Sequence, residues 1–260
     1  MLHLEHHGPI ARLTLASPEN RNALSPQMVQ DLLGAFEDLK THASTRAIVL
    51  SAEGKVFCSG ADLKNLHHLL SASSEDNLQD SRQLARLFET IYTHPKPIIA
   101  AIEGKAIAGG AGLASACDLV VASSEASFAY TEVKLGFVAA IVMVFLLRSV
   151  GEKHARELLL TGDAISAAEA YRMGLINRLT EPGQALSRAM QLAEHIARNS
   201  PVALSSTKTL LANLPSMGLH EALQHAAQMN AWARTTSDLK EGITSFLEKR
   251  APKWQEPSDG

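Results

Sequence analysis

The chain has 260 residues, 46% of them hydrophobic and 20% charged, with a formal net charge of -3. That length predicts one large domain, or a domain with a helical appendage, burying roughly three quarters of its unfolded surface without staples. The charge balance gives no support to nucleic acid or an anionic membrane as the main partner, and two cysteines, Cys58 and Cys117, make no disulfide framework and read as reduced cytosolic thiols.

The start, residues 1–7, lacks the basic region and apolar core of a secretory leader, so the expected location is cytoplasmic. Residues 11–15 alternate with period two and predict a strand. Ser25 followed by Pro26 predicts a helix start, with Met28, Leu32, Leu33, Phe36 and Leu39 recurring at helical spacing. Residues 47–50, 97–102 and 117–122 read as short buried strands, and the alternation predicts an α/β fold. Residues 64–80 are polar and Ser-rich and predict a mobile surface loop or lid. Residues 135–147 are apolar but too short to span a bilayer, so a buried helix is expected there.

After about residue 150 strand patterns nearly vanish. Ser166 to Glu169 has the form of a capping box, opening a short helix that ends at Gly174. A helix from about Pro182 carries Leu186, Met190, Ala193 and Ile196 on one face and breaks at Asn199-Ser200-Pro201. Three helical stretches follow, the last opened by Asp238-Leu239-Lys240-Glu241, and residues 251–260 form a polar, frayed tail. The division is a core over residues 1–199 and a helical region over 200–260. The pairs His6-His7 and His67-His68 predict no metal site, because adjacent side chains point different ways and no further ligand sits at a useful spacing.

Three stretches stand out for chemistry. In the first, a strand at Ile98 to Ile102 runs into Gly104 and then Ala108-Gly109-Gly110-Ala111-Gly112. A helix starting there would offer free N–H donors to an oxyanion, though a tight strand-to-helix turn explains the small residues equally well. Gly110-Ala111-Gly112 is also half of a dinucleotide fingerprint with Glu132 at a suggestive distance, but Ser115 stands where its third glycine belongs. The second stretch is Phe57-Cys58-Ser59-Gly60-Ala61-Asp62-Leu63, again small residues after a strand. In the third, Tyr130-Thr131-Glu132-Val133-Lys134-Leu135-Gly136, the carboxylate of Glu132 precedes an almost uncharged run, where apolar walls raise proton affinity.

Taken in order with Pro18-Glu19-Asn20-Arg21-Asn22-Ala23-Leu24, Lys96-Pro97, Leu160-Thr161-Gly162-Asp163, residues 170–177, Glu241-Gly242 and Phe246 to Arg250, these stretches resemble the crotonase (enoyl-CoA hydratase/isomerase) superfamily along essentially the whole chain. The wording is closest to bacterial enoyl-CoA hydratases. The resemblance implies a spiral of strand–strand–helix repeats, a C-terminal helical trimerisation region, and hexamers built as dimers of trimers. It implies an acyl-CoA thioester substrate and no separate cofactor or metal. By matched position it makes the backbone N–H groups of Ala61 and Gly109 the oxyanion hole and Glu132 an acid/base. It puts Ala23, Ser59, Ala61 and Leu63 along the CoA arm, and Phe246 and Lys249 where a neighbouring subunit approaches the CoA.

The sequence departs from the pattern at Gly112, where well-known hydratases carry a second glutamate, and at Ala108 and Ala139-Ala140. Gly112 is expected to leave room for an ordered water. The leading expectation is hydration of a 2-enoyl-CoA. An enoyl-CoA isomerase, a methylglutaconyl-CoA-type hydratase and, from another class, a non-catalytic RNA- or protein-binding member of the scaffold are the alternatives.

Overall fold

The structure is a computed structural model and describes residues 1–255. Strands β1 (Leu2–His7) and β2 (Ile10–Leu15) form an antiparallel hairpin. Helix α1 (Pro26–Thr41) begins as expected: Ser25 Oγ accepts from Met28 N and Pro26 takes the first turn. It buries Met28, Val29, Leu32, Phe36 and Leu39.

Three turns of strand–strand–helix follow. The first holds β3 (Ala47–Ala52), β4 (Val56–Cys58), α2 (Leu63–Leu69) and α3 (Ser74–Thr93). The second holds β5 (Ile98–Ile102), β6 (Lys105–Ile107) and α4 (Gly109–Ala116). The third holds β7 (Leu119–Ser123), β8 (Ser127–Ala129), a 3-10 turn at Glu132–Leu135 and α5 (Ala140–Ser149). Then come α6 (Glu152–Thr161), β9 (Ile165–Ser166), α7 (Ala167–Met173), β10 (Arg178–Thr180), α8 (Ala185–Ala197), α9 (Pro201–Asn213), α10 (Leu219–Ala233) and α11 (Ser237–Leu247).

In each turn the first strand joins a six-stranded sheet, ordered β1-β2-β3-β5-β7-β10, and the second joins a four-stranded sheet, ordered β4-β6-β8-β9. Successive turns pair in parallel, which is how the spiral advances. Side chains alternate across the larger sheet. Ala11, Leu13, Ile48, Leu50, Ile98 and Ala100 enter the main core with α1, α3 and α4. Ile10, Ala47, Val49, Ile99 and Val121 face α8, whose Ala185, Ala189, Ala193 and Ala197 form a four-residue-spaced stripe small enough for close approach.

Helix α9 is tied to the core by an ion pair between a buried lysine and a partly exposed carboxylate. Lys208 Nζ lies 2.6 Å from Asp118 Oδ2 and 3.1 Å from Lys96 O, and the Lys208 side chain is 7% exposed. Burial pushes the lysine down and the carboxyl up, each opposed by the partner's charge. The pair therefore fixes geometry more than it adds net stability. Removing the lysine still costs stability, although Asp118 stays partly solvated and keeps its bond from Ile98 N. We expect Lys208→Ala to cost about 1–3 kcal/mol in chemical denaturation. Asp118→Asn with Lys208→Met should recover part of the loss. A Lys208→Ala midpoint equal to wild type would contradict the burial argument.

Several sequence expectations change. Residues 64–80 are not a loop: Asp62 caps α2, and a reciprocal Ser73–Asp76 capping box opens α3. Their polarity reflects helix faces turned to solvent, since α3 buries only Leu87, Phe88 and Ile91. Residues 135–147 do not form one buried helix, because Gly136 takes a left-handed conformation and separates the 3-10 turn from α5. Leu135, Phe137, Val138, Val144 and Leu147 are exposed. Ser166 does cap α7, but Glu169 pairs with Arg172 instead of closing a box. The last helix is capped by Thr236, while Asp238 receives the Ser200 hydroxyl at 2.5 Å. In the tail, Trp254 Nε1 donates to Arg198 O at 3.1 Å; residues 256–260 lie outside the described part. Among the described residues, no helix is long and apolar enough to cross a membrane.

Candidate active site

Ala61, Gly109 and Glu132 each follow a strand of the smaller sheet within three residues: β4, β6 and β8 respectively. Those strands are adjacent and parallel. Neighbouring strands lie about 4.8 Å apart, so three adjacent strand ends span about 10 Å. The carboxyl end of a parallel sheet is where loops can converge on a ligand. The three stretches singled out in the sequence thus meet at one edge.

The loop from residue 18 to 24 frames this edge. Asn22 is fully buried and its amide group donates to Glu53 O and Val56 O, while its Oδ1 accepts from Ser17 N. Ser59 N donates to Arg21 O at 3.1 Å and Leu24 N to Gly60 O at 2.8 Å, which sets Leu24 beside Ala61. Gly60 has φ +86, and a Cβ there would sit 2.8 Å from Gly109 N. Only glycine permits both that backbone and that approach. A Cβ on Gly109 would in turn lie 3.7 Å from Ala61 N. The two amides are therefore neighbours, and neither finds an acceptor among the described residues.

Gly109 is the first residue of α4, so its N–H is one of the helix's unpaired donors. Ala108, the residue before it, is held at φ 51 and ψ -123, a region disfavoured for any residue with a side chain. Its N–H bonds Ala129 O at 2.7 Å and its carbonyl accepts the first helical bond from Gly112 N, so the neighbours impose the strain. The signal was present in the sequence as an alanine where the resembling family has glycine.

Glu132 opens the 3-10 turn and is 8% exposed. Its Oε2 is buried and has no hydrogen-bond partner among the described residues. Burial raises its proton affinity, opposed by a backbone hydrogen bond at Glu132 itself. A carboxylate held this way is poised to accept or donate a proton. Beside it in sequence, Tyr130 is completely buried and bonded to Ser115.

The expectation for Gly112 is overturned. A Cβ there would lie 2.2 Å from Val142 Cγ1 and 3.6 Å from Phe88 Cζ. Val142, carried by α5, fills the volume in which a water was expected, and Phe88, Tyr92 and Phe145 extend the apolar packing. Sequence gave no hint of this, because Val142 is thirty residues away and meets Gly112 only through α4–α5 packing. Alanine ordinarily gains about 1 kcal/mol over glycine inside a helix. Here the clash outweighs that gain: overpacking costs about 1–3 kcal/mol. We expect Gly112→Ala to be less stable than wild type in urea and Gly112→Ala/Val142→Ala to recover. A stabilised single variant would show that Val142 yields freely. The glycines at 110 and 112 also lie within α4 itself, not in a strand-to-helix turn of the dinucleotide kind.

Of the residues matched to the CoA arm, Ala23 is buried, Ser59 and Ala61 are half-buried, and Leu63 is exposed at the start of α2. Ala23, Ser59 and Ala61 belong to the frame just described, and Leu63 follows it on α2. Phe246 and Lys249 do not belong to it: Phe246 is 82% exposed on α11, and Lys249 follows at φ 55. Among the described residues there is no cluster of three or more metal-ligating side chains.

The comparisons with known proteins agree with this architecture. The family model described as enoyl-CoA hydratase/isomerase matches residues 5–257. A Thermus thermophilus protein named "Putative enoyl-CoA hydratase" is 52% identical over 95% of this chain and 98% of its own. The 2,3-dehydroadipyl-CoA hydratase of Escherichia coli is 34% identical over 92% of each chain. The crystal structure of a Mycobacterium smegmatis enoyl-CoA hydratase superposes with a TM-score of 0.92 at 33% identity, covering 98% of this chain and 99% of that one. With the spiral of paired strands and the convergent strand ends already in view, the chain belongs to the enoyl-CoA hydratase/isomerase (crotonase) family.

Proposed function

We propose that the protein hydrates a 2-enoyl-CoA thioester, with CoA entering as part of the substrate and no separate cofactor. The observation that carries this reading is the pair of neighbouring amides, Ala61 and Gly109, without acceptors among the described residues, at the same sheet edge as the buried carboxylate of Glu132, whose Oε2 has no partner there. The thioester oxygen would accept from both amides, stabilising the enolate. Water attacks the β-carbon as Glu132 takes its proton, and Glu132 returns that proton to the α-carbon on the same face. One carboxylate thus serves both steps, and the sum is one water added across one double bond.

Isomerisation is the second reading, and Val142 favours it. With the space against Gly112 closed by a methyl group, no second acid stands there, and moving a proton between carbons needs only one base. Separate incubations with 2-enoyl-CoA and 3-enoyl-CoA distinguish the two. Loss of conjugated absorbance with 3-hydroxyacyl-CoA as product supports hydration. No product from the 2-enoyl ester, with conversion of the 3-enoyl ester to the conjugated one, makes the protein an isomerase.

The division into a core over 1–199 and an oligomerisation region over 200–260 belongs to the same proposal, as does a hexamer made of two trimers. Its support is the apolar surface left on the later helices at Leu219, Leu223, Phe246 and Leu247. Phe246 and Lys249 would then act on a neighbour's CoA. Sedimentation at the mass of a single 27.9 kDa chain would remove this part. A reducing cytoplasm suits the buried free thiols of Cys58 and Cys117.

A further inference from the structure

Tyr130 precedes Glu132 by two residues and is fully buried. Its phenol oxygen lies 2.8 Å from Ser115 Oγ, and Ser115 Oγ donates to Ala111 O at 2.9 Å. A serine hydroxyl has one hydrogen. With that hydrogen directed at Ala111 O, Tyr130 must be the donor in the pair. The result is an oriented chain from Tyr130 through Ser115 to the Ala111 carbonyl.

The ends of this chain matter. Ser115 and Ala111 both belong to α4, whose first residue is Gly109. Tyr130 belongs to the segment leaving β8 toward Glu132. The chain therefore ties the backbone carrying the carboxylate to the helix carrying the oxyanion amide. The last backbone link before it is Ala108 N to Ala129 O. Beyond it, Glu132 Oε2 has no hydrogen-bond partner among the described residues, so the carboxylate depends on where its backbone is fixed. Burial pushes the Tyr130 phenol up, the Ser115 bond opposes this, and the Glu132 charge adds to the rise. The phenol stays protonated at neutral pH, as a donor must.

We propose that Tyr130 and Ser115 are positioning residues, holding the Glu132 carboxylate in register with the Gly109 amide. The proposal rests on the reading of Glu132 as the acid/base. Misplacing a reacting group by an ångström costs up to about 10²-fold in rate. Tyr130→Phe removes only the hydroxyl and keeps the ring's packing.

The test compares Tyr130→Phe, Ser115→Ala, their double variant and Ser115→Thr. In the first two, kcat should fall about 10- to 100-fold, while the Kd of a saturated acyl-CoA stays within about twofold, since both side chains are buried within the fold. Losses should not multiply in the double variant, because both changes cut one connection. Ser115→Thr keeps the hydroxyl, so turnover should return toward wild type. A readout independent of turnover is the titration of the Glu132 carboxyl carbon by NMR. Tyr130→Phe should relax it toward the ordinary carboxylate range as water reaches the loosened turn. Should wild-type protein turn over neither enoyl ester, the functional reading falls and this titration still decides the positioning role. Wild-type kcat in Tyr130→Phe, or multiplicative losses in the double variant, or an unchanged Glu132 titration, overturns the proposal.

Discussion

Glu132→Gln is expected to lower turnover by about 10²–10⁴-fold, the usual contribution of a general acid–base group, while acyl-CoA affinity stays near wild type. Gln has the same shape and can hold the same turn, so what it removes is the ability to take up and return a proton. Among the described residues no second carboxylate sits against Gly112 to take over, since Val142 occupies that volume. Stopped-flow turnover with a 2-enoyl-CoA, alongside calorimetric binding of a saturated ester, separates the two effects. Near-wild-type turnover in the Gln variant would remove Glu132 from the chemistry.

The same substitution has a second expected result. Burial holds the Glu132 carboxyl above its ordinary value. The folded state therefore binds the proton more tightly than the unfolded chain, and stability falls as pH rises from the ordinary carboxylate value through the raised one. Above the raised value the wild type carries this cost in full. Gln carries no charge to desolvate, so Glu132→Gln should melt at or above the wild-type temperature at pH 7, and the difference should shrink as pH falls from the raised value to the ordinary carboxylate value. The activity limb that reports Glu132 should correspondingly lie above the usual carboxylate range. A variant that loses both turnover and stability at pH 7 would point to a structural role instead.

How far the sequence reaches can be seen residue by residue. The strands at 47–50 and 97–102 were legible because burial on both faces of a parallel sheet leaves an unbroken apolar run. Strand β1 was not, because its Leu-His-Leu-Glu-His-His turns almost everything to solvent at the sheet edge. Residues 64–80 misled by composition: a helix needs only a narrow apolar stripe, and the capping signals at Asp62 and Ser73 outweighed the polarity. The apolar run at 135–147 misled in the opposite direction. Hydropathy marks what could be buried, and a single chain does not cover Leu135, Phe137 and Val138. At the candidate site, the small residues around Ala61 and Gly109 and the isolated Glu132 could be picked out from local pattern. Val142 against Gly112, and Tyr130 against Ser115, could not, because each depends on how two elements pack.

Gly109→Pro is expected to reduce kcat by about 10²–10³-fold, the effect of deleting one oxyanion donor, worth ~2.7–4 kcal/mol. Proline has no N–H to give. The position suits the experiment because Gly109 is the first residue of α4, where proline is best tolerated and where the N–H has no intrahelical partner to lose. Crowding is the competing effect: a Cβ here meets Gly60 Cα and Leu24 Cδ1 at 3.4 Å each. Gly109→Ala adds that Cβ while keeping the donor, so it measures crowding alone and should retain most of the activity. Ala108 is a second concern, since a residue before proline prefers extended backbone and Ala108 sits at φ 51. If the ring prevents folding, an ester in place of the Ala108–Gly109 amide, made by semisynthesis, deletes the same hydrogen without it. The carbonyl stretch of a bound enoyl-CoA supplies a readout tied to the hole: two fixed donors polarise the thioester and lower its frequency, and losing one should return part of that shift. A folded proline or ester variant with wild-type turnover and an unshifted carbonyl band would mean the thioester oxygen is held elsewhere.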